Sequence, residues 1–498
     1  MGIIARQSIK GTIVTYIGVA VGFLTTFFVL TRFLSAEEIG LARVLLDAAV
    51  LFVGFAQLGT SSSVIRFYPY FRTPDGGTHG FFFWAMVIPL SGFVLFALLF
   101  WAFRGQVEVW FGGKSPLFVE YFPYVFPLAF GMLYQTVFET CSNVRMRIVV
   151  PRAVREVGVR VGLLVCYLAY AFRLLSTDGF VCSLCVVYAA AAVVNAGYFF
   201  FISRVSLRPD IPFLRANRTL VRSSVLYTLF LVASALASVL APVLSSFFIT
   251  AKMGLDYTGI YAIATYMAVM VSIPYRSLTA IASPQLSQAV KDGDTEQASV
   301  LMKQVTGNTL LVGMCVFLLI WLNMDLIYHI LPNGSTYAVA RPVVFVLGLG
   351  QLLLATFSFS LSALNYSRFY AFSLAYSVVL TVSVVLFNNW FIPRWGMMGA
   401  ALGSLLSYVL YFALVLLTVC RRLHVPPFAR TQGWMLLLFA AVLLVNVPLA
   451  AWMEELNIWL GSILRTVLLF GFFVLAAWKL TLSPELNALL RSSFLSRH

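Results

Sequence analysis

Arg43 and Asp47 stand four residues apart in the middle of a long apolar run. That spacing puts both on one face of a helix, within ion-pairing reach. A charge at the centre of a bilayer costs about 2.5 to 3.5 kcal/mol on insertion scales, so each one needs a reason to be there. Gly54 and Gln57 continue the same face at helical spacing. Two readings stand side by side. The pair is either a buried ion pair that fixes helix packing, or a cavity-lining pair in which Arg43 grips an anionic group while Asp47 orients it or holds a coupling cation. Arginine suits a phosphate because its planar fork bonds two oxygens at once and does not lose its proton.

The remaining candidates are weaker. Arg160 sits about four residues inside a later apolar run, beyond the cluster Arg145, Arg147, Arg152 and Arg155. It reads as a side chain snorkelling to the headgroups or as an inward-facing phosphate contact. Gln351, with Thr356, Ser358 and Asn365, adds polarity to another run, and Glu139 reads equally as a helix-end residue or a proton site. Arg465, in the last run, reads as lipid-facing or interfacial. Small residues form two stripes, Gly11, Thr15, Gly18, Gly22 and Thr25 in one run and Ser234, Ser238, Pro242 and Ser245 in another. Such stripes are packing surfaces in most membrane helices, although Pro242 removes a backbone hydrogen bond and would serve as a hinge. The six cysteines are scattered, and Cys182 and Cys185 have no second pair or histidine nearby to complete a metal site. The four histidines fall in loops, in the tail or near the end of a run, so the acid, base and nucleophile constellations of an enzyme are missing. No GxxxxGK[ST] loop is present for ATP.

The elements that must carry these residues follow from composition. Of 498 residues, 61% are hydrophobic and only 10% charged, against about a quarter charged in soluble domains. Apolar runs of about 20 residues, the length that crosses the hydrocarbon as a helix, recur near 11–34, 40–65, 81–103, 118–139, 157–174, 179–201, 223–249, 257–275, 305–331, 342–363, 369–391, 396–420, 432–452 and 458–478. The chain is therefore read as an all-α integral membrane protein with about 14 transmembrane helices. The net charge of +15 does not point to nucleic acid, because the Lys and Arg sit in short clusters between runs. Loops on the side of the termini hold 23 of them and the opposite loops 7. By the positive-inside rule both termini are cytoplasmic, in a multi-pass protein of the bacterial inner membrane. The first run is too long for the core of a signal peptide and reads as a retained span.

The segment Glu37–Phe55, EEIGLARVLLDAAVLFVGF, lies on Asp256–Pro274, DYTGIYAIATYMAVMVSIP, with Gly40 falling on Gly259 at a shift of 219 residues. Each opens the second span of a six-span set, so the halves would be parallel repeats about an axis normal to the membrane. The stretch FLSAEEIGLARVLLDAAVLFVGFAQLGTSSSVIRFYPYF, Phe33–Phe71, resembles the opening of the bacterial polysaccharide-repeat flippases, of the superfamily that also holds lipid-linked peptidoglycan precursor flippases and multidrug extruders. YTGIYAIATYMAVMVSIPYRSLTAIASPQLSQAVKDGD, Tyr257–Asp294, and GMMGAALGS, Gly396–Ser404, are similar to its corresponding segments.

The resemblance implies two parallel six-helix bundles forming a V-shaped central cavity, over residues 1–222 and 223–422, plus two extra C-terminal helices and a cytoplasmic tail over 423–498. It implies a cargo of polyprenyl-diphosphate-linked oligosaccharide for surface polysaccharide, moved by alternating access without ATP, with Arg43, Asp47, Gln57, Arg160 and Gln351 along the path. Expected partners are the lipid-linked glycan, the bilayer, a polysaccharide polymerase and a chain-length regulator. No cofactor is expected beyond a coupling proton or sodium ion. A cation-coupled multidrug extruder is the alternative, less favoured because such proteins usually stop at twelve spans and display an embedded acid, whereas the buried candidates here lean basic. A membrane glycan polymerase is less favoured.

Overall fold

The computed structural model describes residues 3–71, 77–202, 208–453 and 457–482. The side chains of residues 3–12, most of 226–242, and 277, 280 and 281 lie outside the description. Arg6, Lys10, Ser234, Ser238 and the ring of Pro242 therefore fall outside the described residues, as do Arg72, Arg204, Arg491 and Arg497. Among the described residues every regular element is helical. In hydrocarbon no water satisfies backbone groups, and a helix satisfies them within its own segment.

Among the described residues, eleven helices are long and apolar enough to cross a membrane. One of them, Ala371–Leu423, has 53 residues. At 1.5 Å per residue it would run about 80 Å, against a core of about 30 Å, so it contains two passes. The break falls at Gly396, whose φ of 54° and ψ of −134° suit a residue without Cβ. The sequence had placed a boundary there, between 391 and 396. Two further expected spans fall in helices outside the eleven. Val159–Ala171 has only 13 residues of its own and follows a π-helical turn at Val154–Gly158. Arg218–Lys252 is a helix of 35 residues that continues through position 242. These three features make up the difference between the eleven and the expected fourteen.

The chain forms two compact units, residues 1–262 and 263–498. In the first, the Ala36–Ala56 helix is central and packs on helices Phe81–Ala102, Val125–Val144 and Arg218–Lys252. Its start is fixed by a reciprocal cap: the Glu38 amide donates to Ser35 Oγ at 3.2 Å and the Ser35 amide donates to Glu38 Oε2 at 2.7 Å. Farther along, Phe52 is fully buried among Phe93, Phe100 and Phe126, with ring centroids 5.2 to 5.7 Å apart. In the second unit, helices Thr295–Leu322, Arg341–Tyr366 and Arg430–Trp452 share a core with the last helix through Met314, Phe317, Met435, Phe439 and Phe473.

Candidate functional site

The Ala36–Ala56 helix brings Arg43 and Asp47 together as their spacing requires, Nε to Oδ2 at 2.9 Å. Asp47 is buried, at 6% exposure, and Arg43 half-buried. The carboxylate also accepts a hydrogen bond from the Ser246 hydroxyl on Arg218–Lys252. The pair therefore joins the second-span helix to the seventh-span helix, the two elements the sequence had singled out for a charge and for a polar stripe. A carboxylate withdrawn this far from water needs such donors, and the guanidinium beside it keeps a positive centre within the span.

One turn before the pair, the same helix makes a symmetric backbone crossing. A Cβ on Gly40 would overlap the carbonyl oxygen of Leu255 and lie 3.1 Å from the Gly259 amide nitrogen. A Cβ on Gly259 would overlap the carbonyl oxygen of Ala36 and lie 3.1 Å from the Gly40 nitrogen. Ala36 and Leu255 are related by the same 219-residue shift as the two glycines. The contact is thus reciprocal, as between copies related by a two-fold axis, and it pairs the very residues that the sequence alignment had laid on one another.

Arg160 is no isolated snorkelling charge. Its Nη2 lies 3.1 Å from Glu156 Oε2. Arg155 bridges Glu156 at 3.3 Å and Glu139 at 3.0 Å, completing a ladder Glu139, Arg155, Glu156, Arg160. Glu139 is buried. Arg155 and Glu156 ride on the π-helical turn Val154–Gly158, a geometry often found where a helix is bent to functional use. The first helix lies against this ladder through its glycine stripe: a Cβ on Gly18 would overlap the Glu156 carbonyl, and one on Gly22 would stand 3.0 Å from Arg160 Nη1. That stripe is a packing surface. Glu156 went unnoticed in the sequence, although its spacing to Arg160 carries the same i to i+4 signal as Arg43 and Asp47.

Gln57 caps the Ala36–Ala56 helix and hydrogen-bonds Ser61, whose Oγ lies 3.1 Å from Thr140 Oγ1. In the second unit Gln351 is half-buried on Arg341–Tyr366, while Thr356 and Ser358 donate to the carbonyls of Leu352 and Leu354 on their own helix. Arg465, expected to be lipid-facing or interfacial, does not face lipid. It is 6% exposed and donates to the Leu322 carbonyl at 2.5 Å and to Asp325 at 3.1 Å. Arg341 takes the same carboxylate with two nitrogens, at 2.6 and 3.3 Å. A charge two turns inside a span satisfies itself on the end of a neighbouring helix, which no single-segment pattern shows.

Among the described residues no His, Cys, Asp and Glu group could hold a metal ion. Outside the spans, Asp210 accepts from His79 at 2.7 Å and from the Phe213 amide at 3.1 Å. These bonds hold its carboxyl below the usual range.

No protein-family model matches the sequence. No curated protein matches it at a significant level. Solved structures do. The lipid II flippase MurJ, in an inward closed conformation, aligns with a TM-score of 0.74 at 11% identity, over 95% of this chain and 99% of its own. An inward-facing multidrug resistance MATE family transporter of the MOP superfamily aligns at 0.67 and 15% identity, over 85% of this chain and 98% of its own. A MOP superfamily transporter from Pyrococcus furiosus, with a binding pocket of reverse polarity, gives 0.56 at 13% identity, over 85% of this chain and 95% of its own. The MATE alignment leaves about 75 residues of this chain uncovered. The chain is a multi-pass membrane protein with the fold of the MOP superfamily transporters.

Proposed function

We propose that this protein is an alternating-access transporter that flips a polyprenyl-diphosphate-linked oligosaccharide from the cytoplasmic to the periplasmic leaflet for surface polysaccharide synthesis. The observation that carries the reading is Arg43, a guanidinium held half-buried inside a span by Asp47, on the helix that also makes the reciprocal Gly40 and Gly259 crossing. A fixed cation at depth suits a diphosphate, whose charge is the costly part of the cargo to move; the prenyl tail stays in lipid. The glycine crossing is a contact that alternating access would make and break, since two helices at backbone contact seal one end of a path. By the charge count that end faces away from the cytoplasm. The coverage by a lipid flippase through 95% of the chain supports the same direction.

The second reading, a cation-coupled multidrug extruder, draws on the MATE alignments and on Asp47 as a buried acid. Asp47 already has Arg43 and Ser246 as partners, which favours a structural or orienting carboxylate over a cation carrier.

The test is to express Arg43→Ala and Arg43→Lys in cells and to measure protein level and surface glycan together. With cargo binding, Arg43→Lys inserts at the normal level, and export per inserted protein falls about tenfold or more for Arg43→Ala, the effect of losing charge-assisted hydrogen bonds. Lys restores charge but not the two-pronged geometry and gives an intermediate value. Normal glycan with Arg43→Ala ends the proposal.

A further inference from the structure

Inside the first unit, several polar side chains gather around the buried carboxylate of Glu139. Gln135, Glu139 and Ser142 follow one another at intervals of four and three residues, on one face of Val125–Val144. Gly131 sets that helix at backbone contact with Tyr188 and Ala189 on Thr177–Ile202. Less than two turns on, Asn195 donates from Nδ2 to the Gln135 backbone carbonyl at 3.4 Å. In a helix that carbonyl points at the amide of residue 139, so Asn195 stands at the level of Glu139. All four side chains are buried, Ser142 and Asn195 completely. Among the described residues Gln135 Nε2, Ser142 Oγ and Asn195 Oδ1 have no hydrogen-bond partner. A buried polar atom without a partner is costly, and three of them around one carboxylate mark a place built to hold something that bonds them together.

The donor set selects the occupant. Glu139 supplies a carboxylate, Asn195 an amide oxygen, Ser142 a hydroxyl, and Gln135 a second amide oxygen after a half turn of its end group. Oxygen donors suit hard cations. A single carboxylate balances a single positive charge, so the set fits a monovalent ion and would leave a divalent one half-compensated; it is no group of several His, Cys, Asp or Glu. In this structure a guanidinium stands against the carboxylate. Arg155 Nη1 lies 3.0 Å from Glu139 Oε1 and 3.1 Å from Oε2. It satisfies the carboxylate and leaves the amide and hydroxyl oxygens without partners, whereas an ion small enough to sit among the four side chains bonds them all. Arg155 is also free to give way: its side chain is 45% exposed and already touches Glu156 at 3.3 Å, so on leaving Glu139 it keeps a carboxylate.

We infer that Gln135, Glu139, Ser142 and Asn195 form a binding site for a monovalent alkali cation, with Arg155 as its competitor for Glu139, independent of the transport reading. The test uses the full chain purified in mild detergent and radioactive sodium as the probe. Binding is measured together with the unfolding midpoint at constant ionic strength, N-methylglucamine replacing sodium. Wild type binds about one sodium ion per chain, and sodium alone raises the midpoint, as a ligand of the folded state must. Arg155→Ala removes the competitor and tightens sodium binding about tenfold; a purely structural ion pair would instead give a less stable protein with no sodium response. Glu139→Gln abolishes binding, and Asn195→Leu weakens it about tenfold or more through the lost ligand. Asn446→Leu, which removes a buried, unpartnered amide of the second unit, leaves it unchanged. Should Glu139→Gln or Asn195→Leu fail to fold, Ser142→Ala deletes only a hydroxyl and is expected to weaken binding about tenfold. The absence of saturable sodium binding in wild type, which would leave water alone among these groups, overturns the site. Weaker binding in Arg155→Ala, or unchanged affinity in Ser142→Ala, overturns it equally.

Discussion

At the scale of single residues, charge inside the spans organises the molecule, and among the described residues the buried Asp47, Glu139 and Arg465 each have a partner of opposite sign. Arg465 shows the rule most sharply, with a span helix offering its guanidinium to the Leu322 carbonyl and Asp325. A hydrogen bond to a charged group contributes about 1.5 to 3 kcal/mol. Arg465→Leu is expected to cost about 2 to 3 kcal/mol by that measure, seen as a lower unfolding midpoint in detergent, because Asp325 keeps Arg341 but the Leu322 carbonyl loses its donor. An unchanged midpoint would show that the bond adds nothing. Outside the membrane, the Asp210 carboxyl is held low by His79 and the Phe213 amide. A depressed acid stabilises the fold above its unfolded pKa and loses that contribution as pH falls through the folded value. The tie from residues 78–80 to 208–213 is therefore intact at neutral pH and released under strong acid. Asp210→Ala, which leaves no acceptor, should release it at neutral pH, read as faster amide exchange at Gly80 and Phe81.

Among the elements, the crossing of the second-span and eighth-span helices depends on two missing side chains. Gly40→Ala places a Cβ onto the Leu255 carbonyl oxygen, and overpacking of this kind costs about 1 to 3 kcal/mol. The crossing should open, and glycan export should fall while insertion is kept. Gly105→Ala, with open space around the added carbon, is the matched control and should export normally. Wild-type export by Gly40→Ala would remove the crossing from the transport cycle. The glycine pair was legible in the sequence only as a repeat match, because sequence alignment finds equivalent positions and not contacts. The long Ala371–Leu423 helix was legible in full, since two apolar runs around Gly396 already mark a break.

For the whole molecule, the distribution of Lys and Arg, 23 on one side and 7 on the other, makes a strong statement about topology. Fourteen spans place Lys114 and Arg430 on opposite sides. Reporter fusions after each should give opposite signals, and a shared signal would refute the count. That experiment reads, as odd or even, the number of spans between the two points, where all three features separating fourteen from the eleven apolar helices lie: the doubled 53-residue helix, the short Val159–Ala171 and the Arg218–Lys252 helix. A further fusion after Lys479 would place the C-terminal pair of helices.

By itself the sequence determined the all-helical, membrane-spanning class of the protein and the pairing of Arg43 with Asp47. Those follow from local rules: hydrocarbon demands long apolar helices, and residues four apart on a helix meet. Tertiary structure alone decided which helices touch. It placed Ser246 against Asp47, turned Arg465 from lipid to the end of a neighbouring helix, joined Arg160 to Glu139 through two intervening charges, and set Gly40 against Gly259. The physical reason is that every span is apolar on most faces, so hydrophobic periodicity does not choose its neighbours. Small residues and charges make that choice, through contacts between segments far apart in the chain.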